Sequence, residues 1–111
     1  MVLESLEILP SRQHIGHGFF FKPHSGGYVY RLAPDRHPAE PRFWCIWIHR
    51  CGPGGVPDAD ERAWLSDETI TRDEMPVTLS AIRDDLANWL ATRGEGLCAW
   101  LDEPAPVPVK R

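Results

Sequence analysis

The chain has 111 residues, 42% hydrophobic and 25% charged, with a formal net charge of −4. That is one domain of ordinary size, and no run of eighteen apolar residues exists to span a membrane. Lys and Arg form no cluster of the kind that neutralises phosphates, so nucleic-acid binding is not expected. The acidity is concentrated in residues 58–74, which hold seven acidic and two basic side chains.

The opening "MVLESLEIL" spaces Leu3, Leu6 and Leu9 by three, which predicts a short helix ended by Pro10. The start has no basic n-region and is not expected to be a signal peptide. In "HGFFFKPH" three phenylalanines are too apolar for a fully exposed loop, so at least one should reach the core.

"YVYRLAP" reads as a strand with Tyr28, Tyr30 and Leu32 on one face and Val29 and Arg31 on the other. "RFWCIWIHR" is the strongest strand signal: Phe43, Cys45, Trp47 and His49 alternate with Trp44, Ile46 and Ile48. Both faces are apolar, the mark of a central strand covered on two sides. A short connection makes the two strands an antiparallel hairpin, and "CGPGGVP" ends it. "DADERAWL" predicts two helical turns capped by Asp58, and "ETITRDEM" an edge strand through Thr69 and Thr71.

"TLSAIRDDLANWLATRG" predicts the main helix, 78–93. Thr78 is the expected N-cap, Gly94 sits at C′, and Leu79, Ile82, Leu86, Trp89 and Leu90 form the core stripe. "LCAWL" predicts a last strand. The expected fold is therefore α+β: three to five mostly antiparallel strands with the 78–93 helix across one face. Residues 1–103 form the domain, and 104–111 an extended proline-rich tail.

Three chemistries compete for the histidines, cysteines and tryptophans. His49 and Cys51 share a strand face next to a glycine loop, but an extended backbone keeps them about 7 Å apart, and no third group is evident. An enzyme or ligand-binding domain would use a pocket lined by Tyr28, Tyr30, Trp47 and His49, with Cys51 at its mouth. A metal site would draw on His14, His17 and His24, yet no CxxC or HExxH pattern supports it, and no cofactor is expected. The odd number of cysteines suggests a reducing compartment, hence the cytoplasm, with a Cys45–Cys98 bridge as the alternative.

The aromatic surplus carries more. One long helix cannot cover both faces of a sheet, and Trp44 and Trp47 point opposite ways. The expectation is a small non-enzymatic interaction or regulatory protein acting as a homodimer, with a further protein partner as an option. Its contact would draw on Tyr28, Tyr30, Trp44, Trp47 and Trp100.

Overall fold

The computed structural model describes residues 6–9, 18–23, 28–52 and 63–101. They form an α+β fold with an open five-stranded sheet and three helices. The strands are β1 (Leu6–Leu9), β2 (Phe19–Pro23), β3 (Val29–Arg36), β4 (Trp44–Cys51) and β5 (Ala63–Leu65). Their spatial order follows the chain, and every neighbouring pair is antiparallel. The longest pairing is the predicted β3–β4 hairpin, from Val29 opposite Cys51 to Arg36 opposite Trp44.

Alternation gives the sheet two distinct faces. One carries Leu6, Ile8, Phe19, Phe21, Tyr30, Leu32, Ile46, Ile48 and Trp64, and joins the single hydrophobic cluster among the described residues. Two of the three phenylalanines, Phe19 and Phe21, are buried there. The helices α1 (Met75–Asp84), α2 (Leu86–Ala91) and α3 (Glu95–Leu101) contribute Met75, Leu79, Ile82, Leu86, Leu90, Leu97, Trp100 and Leu101 to the same cluster. Tyr30 lies at its centre, stacked on Phe21 at 5.5 Å and edge-on to Trp100 at 5.6 Å. Its hydroxyl donates to the Leu101 carbonyl at 3.3 Å, linking β3 to the last helix.

Five expectations are corrected. Residues 6–9 are a strand, because Leu6 and Ile8 alternate with exposed Glu7; the three-residue leucine spacing misled. Residues 63–65 are β5 rather than helix: Trp64 pairs with Ile48, and the chain continues along β4. There Ser66 exchanges bonds with Ile46, and Ile70 with Trp44. Ile70 makes only an isolated bridge where an edge strand was expected. Residues 95–101 are helix rather than strand, burying Leu97, Cys98, Trp100 and Leu101 at helical spacing.

The fifth correction concerns the 78–93 helix, which is broken and starts earlier. Thr71 and Glu74 form a reciprocal cap: Glu74 Oε1 accepts from the Thr71 N–H (3.0 Å), and Thr71 Oγ1 accepts from the Glu74 N–H (3.2 Å). The Thr71 backbone N–H and then its hydroxyl, which donates to the same Oε1 at 2.8 Å, hold the Glu74 carboxyl below its ordinary pKa. Thr78 is therefore inside α1, its hydroxyl donating to the Glu74 carbonyl at 2.9 Å. At Asp85 the backbone leaves the helix (φ −139°, ψ 53°), and α2 begins afterwards. Leu79, Ile82, Leu86 and Leu90 are buried as expected, but the break leaves Trp89 half-buried. It sits edge-on to Trp64 at 5.8 Å, with the Arg93 guanidinium 4.3 Å over its ring. Arg93 is also paired with Glu68. Gly94 takes the expected left-handed conformation, φ 99°.

Gly18 is required by a close approach. A Cβ there would lie 2.4 Å from the Leu32 carbonyl oxygen and 2.8 Å from the Ala33 Cβ. Gly18→Ala should therefore cost about 1–3 kcal/mol as β2 is forced off β3. Urea melts measure this, and an unchanged midpoint would show that the strands do not meet so closely.

Candidate functional site

The second face of the sheet is built from the residues that alternate with the core. Across its middle run Leu9, Phe20, Arg31, His49 and Ala63, and beside them Ala33, Trp47 and Leu65. Val29 and Cys51 lie at one end, Cys45 and Asp35 at the other. Leu9, Phe20, Val29, Trp47 and Leu65 are half-buried. This outer face thus presents an apolar band with one cation and one imidazole in it. Glu7 and Lys22, both exposed, flank it at one corner, and exposed Asp35 at the opposite end.

Trp47 and His49 stack almost parallel, 5.6 Å between centroids and 5° between planes. They are two residues apart on β4, so both leave the same face. Burial lowers the His49 pKa, the neighbouring Arg31 charge lowers it further, and Asp35 partly opposes them. The Trp47 Nε1 is buried and meets no acceptor at full hydrogen-bond geometry, yet it lies close enough to the Cys45 sulfur to offset part of that thiol's rise. Burial is the larger influence, and the Cys45 pKa is raised.

Cys51 is pushed up to about 11, chiefly by burial, against a weaker opposing pull from Arg31. Its Sγ sits 3.8 Å from the His49 carbonyl oxygen, and burial disfavours the thiolate. Near neutral pH, carbamidomethylation of Cys51 should run at least about 100-fold slower than that of a free cysteine. Peptide mapping reads it out, and a rate like that of an exposed thiol would overturn this description.

The residues singled out in the sequence separate. Tyr30 is fully buried and Tyr28 is half-buried beside the same cluster, whereas Trp47, His49 and Cys51 are on the other face. They do not line one pocket. Trp44 belongs with the core face, with the Arg36 guanidinium 4.4 Å over its ring. Trp100 is in α3 and buried. Of the five expected contact aromatics, Trp47 alone is on the outer face.

No family model, curated protein or solved structure matches this chain.

His14, His17 and His24 lie outside the described residues. Among the described residues, no three His, Cys, Asp or Glu side chains gather as a metal-binding group. None of their helices is long and apolar enough to cross a membrane. All three cysteines are free: Cys45 is on the outer face and Cys98 in α3, its sulfur directed at the Leu90 carbonyl.

Two features escaped the sequence. Arg50, on the core side of β4, is 7% exposed and lies 4.2 Å from the Tyr28 ring and 5.8 Å from that of Trp100. Its even-odd register with Ile46 and Ile48 was the available signal. A shallow groove of about 410 Å³ runs between α1 and α2, lined by Ile82, Trp89 and exposed Val77. Asp85 is the one ionisable side chain among the described residues that line it.

Proposed function

We propose that the protein is a small interaction module that associates with a second copy of itself through the outer face of the sheet. The observation that carries this reading is the half-buried apolar band of Leu9, Phe20, Trp47 and Leu65, opposite the face that shares the core with all three helices. Apolar surface of this kind gains about 25 cal/mol per Å² when water is removed from it.

The charges favour a second copy as the occupant. Lys22 is at one end of the face, with Glu7 across from it on the edge strand, and Asp35 is at the other, all three exposed. Packing two faces about a two-fold axis across the strands lays each copy's Lys22 end over the other's Asp35 end. An isologous contact then contains two complementary pairs. One Asp35 oxygen accepts from the Arg36 N–H at 2.7 Å.

Five strands about 4.8 Å apart make a patch roughly 20 Å on a side, so two copies would bury on the order of 1,000 Å². That is the small end of specific interfaces and corresponds to a reversible dimer of micromolar affinity rather than an obligate one.

Reciprocal charge reversal tests the reading. Lys22→Glu alone and Asp35→Lys alone should each weaken self-association, since each sets like charges against one another twice. Mixed, the two variants should form a heterodimer, because both cross-copy pairs then join opposite charges, one with the original sign and one reversed. Native mass spectrometry resolves the species. Association unaffected by either reversal would remove this arrangement.

A further inference from the structure

The outer face has one feature that a simple apolar contact does not need. His49 sits in the middle of the band, stacked on Trp47, with Arg31 directly across from it on β3. On β5 its cross-strand partner is Ala63. The other titratable and charged groups that the described elements present on this face are Asp35 two rungs along β3, Cys45 and Cys51 on β4, Lys22 on β2 and Glu7 on β1. Among the described residues no carboxylate is on the same rung as His49, and the charge nearest to it in register is a guanidinium.

We infer that His49 makes the association acid-sensitive: protonation places a second cation beside Arg31 in a contact that must be desolvated, and the two copies separate. This rests on the outer-face dimer proposed above. The pattern within one chain agrees, since burial and Arg31 already favour the neutral imidazole. Association buries His49 further and lowers its proton affinity again. By linkage the dimer is at full strength above the His49 pKa of the free chain and weakens as the pH falls through it. A two-fold contact contains two His49 side chains, so a modest effect at each is squared.

Sedimentation equilibrium at about pH 8 and about pH 5.5 gives two dissociation constants, and their ratio is the readout. For the unaltered protein the constant should rise about tenfold at the lower pH, roughly threefold from each histidine. His49→Gln and His49→Phe should bring the ratio close to one, whatever their absolute affinities, while circular dichroism checks that all three proteins stay folded at both values. No dimer at pH 8 in the unaltered protein would sink the outer-face reading itself. A dimer at pH 8 that is equally strong at pH 5.5, or a tenfold loss that persists in both variants, would sink the histidine inference alone.

Discussion

Replacing Tyr30 with Ala should destabilise the fold by about 3–5 kcal/mol, a large share of the roughly 5–15 kcal/mol by which domains of this size are stable. Tyr30 is fully buried, and its contacts join three parts of the molecule. Its ring stacks on Phe21 from β2 and meets the edge of Trp100 from α3. Its hydroxyl reaches the Leu101 carbonyl. Truncation leaves a cavity between sheet and helix and removes that bond together. Tyr30→Phe separates the two contributions: it keeps the ring and should lose only about 1 kcal/mol, the ordinary net worth of one hydrogen bond. Urea melts of both variants measure the difference. A loss under about 1 kcal/mol for Tyr30→Ala would mean that β3 and α3 do not share this core.

The sequence showed the middle of the sheet well. In "YVYRLAP" and "RFWCIWIHR" aromatic and β-branched residues alternate without a competing helical spacing, and both became strands with the expected faces. The β3–β4 hairpin followed because a short connection leaves few other topologies. The ends were less legible. "LESLEIL" fits a three-residue spacing and an alternation at once, and only pairing with β2 decides between them. "AWL" is too short to have a period, and its strand depends on β4 being there to receive it. "GLCAWL" is apolar at five successive positions, a run that periodicity cannot assign to either element. The helix start was readable in "TRDE", where Thr71 and Glu74 stand at capping-box spacing, but the better-known stripe from Leu79 onward drew the boundary to Thr78.

The candidate site was half legible. Strand parity placed Trp44 and Trp47 on opposite faces, and the structure agrees. Parity alone could not say which face the helices would occupy, because both are apolar. That choice depends on the helices, and residues 95–101 read as a strand in the sequence. With α3 a helix, Trp100 and Tyr30 meet in the core, and Trp47 is left on the outer face with His49. The pocket of Tyr28, Tyr30, Trp47 and His49 failed for the same reason: its members alternate across the sheet.

Trp47→Asp should abolish self-association while leaving the subunit folded. Trp47 is half-buried on the outer face, outside the cluster formed by the other face and the helices. A carboxylate there meets water in the single chain. In a face-to-face dimer it would be desolvated twice about the axis, at a cost of several kcal/mol. The resulting loss is at least about 100-fold in affinity, more than a micromolar dimer can sustain. Trp44→Asp should behave differently: that ring packs on the core cluster beneath Arg36, so the substitution should lower the stability of the subunit itself.

Sedimentation equilibrium of the unaltered protein and of Trp47→Asp at tens of micromolar is the deciding measurement. The unaltered chain should tend, with rising concentration, toward about 25 kDa, twice its 12.6 kDa, and the folded variant should stay at 12.6 kDa throughout. A strictly monomeric unaltered protein, or a Trp47→Asp dimer of undiminished strength, would contradict the outer face as the site of association.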